Sequence, residues 1–480
     1  LAKELANAGM KAPILVIASS GGMMTIETAM EKPVFAVGSG PAGGVIGSMR
    51  LARTVDCLDA IAFDMGGTTA KASIIEGGDP TITSEYEFRD GMSTPSRFIK
   101  GGGYMLKVPA IDIAEVGAGG GSIAWIDEGG LLQVGPISAG AEPGPACYAL
   151  GNERPTVTDA NVVLGVLNPN SLAGGSLPID AKCSMKAIDR HIADPLGLSR
   201  VEAAAGVRQI INVAMARAIR SVTVERGRDP RDMTLFAFGG SGPAHAVDVA
   251  VLLGITKVIV PVMSGVFSAV GMLGADVEHN FVRNLFRGLD QLETVEVVDV
   301  IQHLRHEGAL RLYNDGFDQS HFDMRFSADM HYLGQSSELT VGFDPIEIER
   351  KGLGFLSAAF HAAYLETYGY QNNEPVELVN IRLSALGVRQ HRVAFAEGNA
   401  GVDAREAPGA MREVWFESSR QVMSAMIYPR SVVDTGTVTG PAILEAYDTT
   451  IVVPPECVAR NDACGSVVID IAPELIGDAA

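Results

Sequence analysis

A short glycine loop between two apolar stretches constrains the fold of this chain more than any other feature. The stretch from Ala60 to Phe63 runs directly into Asp-Met-Gly-Gly-Thr-Thr at residues 64–69, and a second apolar stretch follows from Lys71 to Ile75. Apolar runs of this length with glycine between them are typical of buried strands joined by a tight turn. The pattern predicts a strand, glycine loop, strand hairpin.

The residue types in this loop suit phosphate binding. Gly66 and Gly67 allow an anion to approach the backbone closely, and Thr68 and Thr69 add hydroxyl donors. Asp64, at the end of the first strand, supplies an oxygen ligand of the kind that Mg²⁺ prefers. A tight hairpin with a capping aspartate is the alternative interpretation.

A second glycine turn follows another apolar stretch, Thr234 to Phe238. Gly239, Gly240, Ser241 and Gly242 come next, and Pro243 marks the first turn of a predicted helix, where the missing N–H of proline costs nothing. The near absence of side chains leaves a flat surface on which a purine and ribose can lie. Alone this pattern indicates only a strand-to-helix turn; with the upstream hairpin it indicates a nucleotide site.

Two further predicted helices contain clusters of small residues, from Ser39 to Ala52 and from Gly265 to Ala275. Glycine inside a helix costs about 1 kcal/mol relative to alanine, so a cluster calls for a reason. Very close packing of another backbone is one reason, and ordinary packing of small residues is the alternative.

The rest of the chain is predicted as alternating helices and strands of an α/β protein. Residues 14–18 form a buried strand that ends in a glycine turn, after which we expect a helix. Ser199 and Glu202 form a capping box at the start of a long amphipathic helix. The character changes near residue 287, so we place a nucleotide-binding domain at 1–286 and an α+β, β-rich domain at 287–480.

Charge and composition exclude several classes of partner. Lys and Arg total 37 against 57 Asp and Glu, and a net charge of -20 repels nucleic acid and anionic membrane surfaces. We find no apolar run that could span a bilayer and no signal-peptide pattern, so we expect a cytoplasmic protein. The five scattered cysteines are predicted to be reduced thiols.

The order of these motifs resembles the hydantoinase/oxoprolinase family over essentially the whole chain. The matching segments are SGPAGGV, DMGGTT, VTVERGRDP, FAFGGSGPAHA, GVFSAVG and GPAILEAYDTTIVVPP. The resemblance implies an actin-like, RNase H-type fold. In that fold residues 64–69 are the second phosphate loop, Gly239 to Gly242 are the adenosine loop, and residues after about 287 correspond to the family's C-terminal domain.

The resemblance also implies an activity. It predicts ATP-dependent phosphorylation of a small cyclic amide or ketone, with Asp64 and Thr68 as catalytic residues and Mg²⁺ held at Asp64. Residues 66–69 and 239–242 would bind the ATP. A hydantoinase B-like subunit is the expected partner. The alternatives are a non-catalytic actin-like nucleotide switch and a small-molecule kinase on the same scaffold.

Two departures from the family pattern carry expectations of their own. Family members usually open with a domain that carries a first phosphate hairpin, and no such sequence precedes residue 1, so we expect that part of the nucleotide clamp lies outside this chain. Lys71 stands where many relatives are expected to have an aspartate. That change would alter metal or phosphate contacts or mark a subgroup.

The remaining polar candidates have structural alternatives. His245 could reach a nucleotide or cap its helix, and Glu142, Asp159 and Asn161 could face a cleft, although Asp159 also fits a helix N-cap. Asp276, Glu278 and His279 could bind a metal, but we favour a solvated helix end.

Overall fold

The computed structural model describes residues 2–12, 14–83, 86–88, 104–106, 108–335, 337–389 and 409–477. Part of the predicted C-terminal domain, residues 390–408, lies outside the described residues. The α-helices are α1 (Ala2–Asn7), α2 (Ile26–Glu31), α3 (Ser39–Thr54), α4 (Val157–Val163), α5 (Ala181–Ile188), α6 (Asp194–Leu196), α7 (Arg200–Val222), α8 (Gly242–Leu253), α9 (Phe267–Leu273), α10 (Thr294–Asn314), α11 (Pro345–Lys351), α12 (Gly354–Tyr368) and α13 (Pro473–Ile476).

The strands of the first half of the chain are mostly short. They are β1 (Leu15–Ile17), β2 (Met23–Thr25), β3 (Ala60–Met65), β4 (Ala70–Glu76), β5 (Asp79–Pro80), β6 (Ile82–Thr83), β7 (Tyr86–Phe88), β8 (Tyr104–Leu106), β9 (Ala110–Ile111), β10 (Ala114–Val116), β11 (Ser122–Ile126), β12 (Leu132–Ser138), β13 (Ser171–Leu172), β14 (Leu177–Pro178), β15 (Thr234–Phe238) and β16 (Lys257–Val260).

The strands of the second half complete the sheets. They are β17 (Val277–Gly288), β18 (Phe322–Tyr332), β19 (Leu339–Phe343), β20 (Val376–Gly387), β21 (Ala410–Phe416), β22 (Gln421–Pro429), β23 (Val438–Thr439), β24 (Ala442–Glu445), β25 (Thr450–Val453), β26 (Cys457–Asn461) and β27 (Val467–Ile471).

The described chain divides into two compact units that are interleaved along the sequence. One unit draws on residues within 1–18, 22–36 and 275–392, and the other on residues within 19–21, 37–274 and 393–480. Residue 287, at which we placed the domain boundary, falls inside β17. The division of the chain into domains at 1–286 and 287–480 therefore stays a prediction.

The smaller unit is built on a six-stranded mixed sheet in the order β1-β2-β17-β20-β18-β19. Along β20 the buried side chains of Ile381 and Leu383 alternate with the half-exposed side chains of Arg382 and Ser384. Helix α10 packs on β17, β18 and β20. The turn at residues 19–22 first reverses the chain into β2, antiparallel to β1, and the expected helix, α2, follows directly after that short strand.

The larger unit is an α/β structure around a nine-stranded mixed sheet. Its main strand order is β10-β4-β3-β15-β16-β27-β26-β23, with β5 paired to β4. Strand β15 runs parallel to both β3 and β16, whereas β4 runs antiparallel to β3 and β10. A four-stranded sheet, β21-β22-β24-β25, belongs to the same unit.

Helix α7 is held at its start by the predicted capping box, in which the Ser199 hydroxyl accepts from the N–H of Glu202 and the Glu202 carboxylate accepts from the N–H of Ser199. The helix packs on β4, β10 and α8, and its buried apolar residues between Ala203 and Val222 belong to the hydrophobic core of this unit. None of the helices in the described ranges has the length and apolar character that a membrane span needs.

Helices α3 and α9 cross at very short range, which confirms the predicted reason for their glycines. A Cβ atom at Gly43 would lie 2.6 Å from the carbonyl oxygen of Ser268, and one at Gly47 would lie 3.2 Å from the Cα atom of Gly271. Side chains larger than hydrogen would push the two backbones apart. The small residues are therefore required by helix packing.

Candidate functional site

The two predicted glycine loops leave the same edge of the sheet. Strand β3 ends at the hairpin loop and the parallel strand β15 ends at the second turn, with Asp64 opposite Phe238 in the register. Parallel neighbours present their carboxyl ends at one edge, which is where ligands bind in open α/β sheets. The sheet pairing therefore brings residues 64–69 next to residues 239–242.

Direct contacts join the two loops. The Ser241 N–H donates to the Met65 carbonyl oxygen at 3.0 Å. Gly239 has a φ of +81°, in the left-handed region, and a Cβ atom there would lie 2.5 Å from Oδ1 of Asp64. Only glycine combines this backbone conformation with this approach to the carboxylate.

A third glycine loop, residues 117–121, packs against the hairpin. The N–H groups of Gly120 and Gly121 donate to the carbonyl oxygens of Gly66 and Gly67 at 3.0 and 2.6 Å. A Cβ atom at Gly120 would lie 2.9 Å from both Ser241 Oγ and Thr158 Oγ1. The third loop therefore holds the hairpin against the second turn.

These loops surround a cavity of about 570 Å³. Its lining residues are Gly66, Gly67, Gly120, Gly121, Gly140, Pro145, Tyr148, Thr158, Asn161, Leu167, Asn168, Asn170–Gly175, Gly240, Ser241, Ala244, Gly265 and Glu445–Thr450. This set of described residues contains no lysine or arginine. An anionic ligand in the cavity would therefore depend on backbone N–H groups, neutral donors and a bound cation rather than on ammonium or guanidinium groups.

Of the nine predicted site residues, four line this cavity: Gly66, Gly67, Gly240 and Ser241. The lining does not include the other five, which are Asp64, Thr68, Thr69, Gly239 and Gly242. Thr68 lies exposed at the tip of the hairpin, and Gly242 begins α8. The structure thus brings the two loops together, and the ligand contacts of individual residues stay predictions.

Asp64 belongs to a row of three charged side chains across the sheet. Lys71 on β4 lies opposite Asp64 in the register, and Glu115 on β10 lies opposite Lys71. The Lys71 ammonium donates to Thr69 Oγ1 at 2.6 Å and lies 3.5 Å from a Glu115 carboxylate oxygen. Burial raises the pKa of Asp64, while the Lys71 charge and a hydrogen bond from Ser268 lower it.

The carboxylate of Asp64, at the end of β3, is a ligand of the type that Mg²⁺ uses in proteins. Mg²⁺ is usually held in proteins by one or two carboxylates, with phosphates and waters as its other ligands. Asp64 supplies one carboxylate beside Gly66 and Gly67, and no cluster of three potential metal ligands occurs among the described residues. The site therefore offers Mg²⁺ one carboxylate ligand, and phosphates and waters would supply the others.

Sequence reasoning missed a part of the cavity wall that is formed by residues 167–168, 170–175 and 445–450. The Asp448 carboxylate accepts from the Gly265 N–H at 2.7 Å, and Thr449 Oγ1 donates to the Gly240 carbonyl oxygen at 3.2 Å. The signal was a polar run, Glu445 to Thr450, between two apolar strands. The sequence pattern alone predicts only a turn between two strands at this position.

Asp159 does not face the cleft, and it is not the N-cap. Thr156 is the N-cap of α4, and Asp159 is the third helical residue of its capping box. The fully buried Asp159 carboxylate accepts hydrogen bonds from the N–H groups of Ala146, Cys147 and Thr156 and from two hydroxyl groups. It is a structural anchor, whereas Glu142 is exposed outside the cavity lining.

The predicted solvated helix end at residues 276–279 is wrong, because these residues lead into and form β17. His279 is buried and pairs with Asp315, and Glu278 accepts from the Ser384 hydroxyl at 2.6 Å. Cys147 is also buried, which raises the pKa of its thiol and disfavours the reactive thiolate. His245 is fully buried and does not cap its helix, whereas Asn161 lines the cavity.

Comparisons with known proteins agree with the resemblance found in the sequence. Residues 1–281 match the family described as hydantoinase/oxoprolinase, and residues 290–465 match the hydantoinase/oxoprolinase C-terminal domain. The uncharacterized protein MJ0964 of Methanocaldococcus jannaschii is 39% identical over 470 residues, with 97% of this chain and 66% of that protein covered. The caprolactamase subunit alpha of Pseudomonas jessenii is 34% identical over 453 residues, with 93% and 63% covered.

Solved structures show the same relationship. The ATP-dependent caprolactamase from Pseudomonas jessenii superposes with a TM-score of 0.78 at 31% identity, and covers 98% of this chain and 67% of that one. A nucleotide-free acetone carboxylase chain gives 0.76 at 25% identity, with 98% and 66% covered. The chain therefore spans about two thirds of the length of these relatives.

Proposed function

The chain belongs to the hydantoinase/oxoprolinase family, and we propose that it binds ATP and transfers the γ-phosphoryl group to the oxygen of a small cyclic amide or ketone. One observation carries the proposal, namely that the glycine loops at the ends of β3 and β15 line a single cavity. The names of a caprolactamase and of an acetone carboxylase among the relatives support the two substrate classes.

We also propose that the larger unit has an actin-like, RNase H-type fold. The strand order β10-β4-β3-β15-β16, in which only β4 runs antiparallel to the others, supports it. The close crossing of α3 and α9 also supports it. In this arrangement residues 64–69 form the phosphate hairpin and residues 239–242 lie under the adenosine.

The chemistry needs positioning and charge neutralisation more than a side-chain nucleophile. The amide or ketone oxygen forms a bond to the γ-phosphorus while the bond to the β-γ bridging oxygen breaks, and ADP leaves. The N–H groups and hydroxyls of Gly66 to Thr69 would orient the phosphates. Asp64 would hold Mg²⁺, which supplies positive charge to the phosphate oxygens when it is bound.

A partner subunit completes the proposal. Phosphorylation converts a poor electrophile or an enol into an activated one, which a second protein of the hydantoinase B type then hydrolyses in the case of an amide or carboxylates in the case of a ketone. Several relatives carry names as subunits, including the caprolactamase subunit alpha and the acetophenone carboxylase gamma subunit. We propose a cytoplasmic hetero-oligomer.

The test is calorimetry with MgATP on the full-length protein together with any co-purifying subunit, followed by phosphate release with hydantoin, 5-oxoproline, caprolactam and acetone. We expect ATP binding and turnover that depends on one of these compounds. Slow turnover that ignores all of them would favour the nucleotide switch, and a stable phosphorylated product would favour a kinase. Absence of nucleotide binding would overturn the proposal.

A further inference from the structure

Four buried polar side chains and the half-buried Asp248 lie together beneath the cavity, at the junction of α4, α7 and α8. They are Asn161, Arg208, Asn212, His245 and Asp248, and we call them the polar cluster. Asn161, Arg208, Asn212 and His245 are each 3% exposed or less. Burying so many polar groups is costly unless every hydrogen bond is made, so their arrangement is constrained.

One end of the polar cluster fixes the orientation of the Asn161 amide. The Arg208 guanidinium donates to Oδ1 of Asn161 at 2.7 Å and also to the Asp248 carboxylate at 2.7 Å. A guanidinium has no acceptor, so the atom of Asn161 that faces it must be the oxygen. The amide nitrogen of Asn161 must then face His245, whose Nε2 lies 2.9 Å away.

The other end fixes the histidine. Asn212 Nδ2 donates to the Asp248 carboxylate at 3.2 Å, so its oxygen faces Nδ1 of His245 at 2.6 Å. Nδ1 therefore carries the proton, and Nε2 is left to accept from Asn161. A protonated ring would place two donors against each other at Nε2, and burial together with the Arg208 charge keeps the pKa of His245 well below its ordinary value.

This set of bonds uses only one of the two amide hydrogens of Asn161. The second has no hydrogen-bond acceptor among the described residues, and Asn161 is part of the cavity lining. We infer that Asn161 donates a hydrogen bond to an oxygen of the ligand bound in the cavity, and that Arg208 and His245 are positioning residues that aim its amide. The inference rests on the proposed function for the identity of that ligand.

The Asn161 amide would recognise an oxygen atom that accepts a hydrogen bond. Either of the two reactants can supply such an oxygen. One source is a γ-phosphoryl oxygen of ATP, and the other is the carbonyl oxygen of the amide or ketone. A neutral donor suits both sources, because the described lining contains no lysine or arginine that would compete for the same oxygen.

The experiment compares Asn161→Ala with the matched variant Asn212→Ala in the full-length protein with its subunit. Both changes remove one amide from the polar cluster, but Asn212 does not line the cavity. Calorimetry with MgATP, MgADP and caprolactam gives the affinities, and thermal unfolding gives the stability of each variant. Asn161→Asp, which keeps the size and the bond to Arg208, replaces the alanine variant if the latter does not fold.

We expect Asn161→Ala to weaken one ligand about tenfold or more, as the loss of a hydrogen bond to a charged or strongly polar oxygen does. In Asn212→Ala the Arg208 guanidinium still holds Oδ1 of Asn161, so this variant should leave the same affinity within about threefold at a similar loss of Tm. Weaker binding of MgATP with unchanged binding of MgADP identifies the γ-phosphoryl oxygen. Weaker binding of caprolactam with unchanged binding of MgATP identifies the carbonyl oxygen.

Equal effects of the two variants on the affinity for every ligand would show a purely structural role of Asn161 and overturn the inference. A wild-type protein that binds no nucleotide would instead overturn the proposed function, and this inference with it.

Discussion

Gly43 on α3 and Gly271 on α9 touch backbone to backbone: a Cβ atom at Gly271 would strike the carbonyl group of Gly43 and would lie 2.7 Å from the amide nitrogen of Gly47. A methyl group at this position cannot be accommodated by rotating a side chain, because the atoms it meets are main-chain atoms. The two helices must separate if either glycine is replaced. The close crossing of α3 and α9 therefore requires glycine at both positions.

The first prediction concerns this crossing. Gly271→Ala should lower the free energy of unfolding by about 1–3 kcal/mol, because overpacking forces the helices apart. Gly40→Ala in α3 is the matched control, since a Cβ atom there meets no described atom of another segment within 4 Å. That control should be neutral or gain up to about 1 kcal/mol from helix propensity. Urea unfolding measures both, and equal stability of the two variants would contradict the crossing.

Local sequence patterns predicted the parts of the site that are local in the chain. The apolar runs and glycines of the two loops predicted strands, turns and the helix after Pro243, and the structure has β3, β4, β15 and α8 at those places. Adjacent parallel pairing then brings the loops together. Clustered glycines indicated that another backbone packs closely on α3 and on α9, but they did not show that these two helices pack on each other.

The parts that could not be predicted depend on contacts distant in sequence. The wall at residues 445–450 lies about two hundred residues from the turn at Gly240, and no local pattern indicates that pairing. Arg208 and Asn212 occupy inward positions of α7, where helical periodicity leads one to expect apolar residues. Their partners lie on α4 and α8, so only the tertiary structure shows that their hydrogen bonds are satisfied.

A second prediction concerns Asp64. Asp64→Asn should reduce substrate-dependent ATP turnover by about 100-fold or more, because the carboxylate proposed to hold the metal is lost. The Tm should stay within a few degrees, since burial already disfavours the charged form. Asp79→Asn on β5, an exposed carboxylate of the same sheet, is the control and should retain wild-type turnover. Normal turnover in Asp64→Asn would remove this residue from the mechanism.

Lys71 provides a third prediction, because it separates two carboxylates. Lys71→Asp would place three acidic side chains in a row with Asp64 and Glu115, and should cost about 1–2 kcal/mol of stability through their repulsion. The same three carboxylates resemble the oxygen ligands that Mg²⁺ prefers. Added Mg²⁺ should therefore raise the Tm of Lys71→Asp, by a stabilisation of about 1.4 kcal/mol at ten times its Kd.

Lys71→Met is the matched control for that variant, because it removes the ammonium group without adding a ligand. Its Tm should fall slightly and should respond to Mg²⁺ no more than that of the wild-type protein. Thermal unfolding in EDTA and in millimolar MgCl₂ measures both variants. An equal response of the two to Mg²⁺ would show that the row of side chains does not form a metal site.

The last prediction uses the buried histidine to link stability to pH. Because the folded-state pKa of His245 lies well below the ordinary value of 6.5, the unfolded chain binds one more proton than the folded chain once the pH drops below about 6.5. The free energy of unfolding should therefore decrease by up to about 1.4 kcal/mol for each pH unit below 6.5, until the folded-state pKa is reached. His245→Gln should lose this contribution and show a correspondingly shallower pH dependence.

The two tryptophans, Trp125 and Trp415, lie in the same compact unit as His245, so urea unfolding followed by their fluorescence reports on the relevant part of the molecule. Asn212→Ala is the control: it damages the polar cluster and lowers stability at pH 7.5, but it keeps the histidine and hence the steep pH dependence. A His245→Gln variant as steep as the wild-type protein between pH 6.5 and 5 would mean that the ring is already charged in the folded state, and the hydrogen bonds assigned to it and to Asn161 would then be reversed.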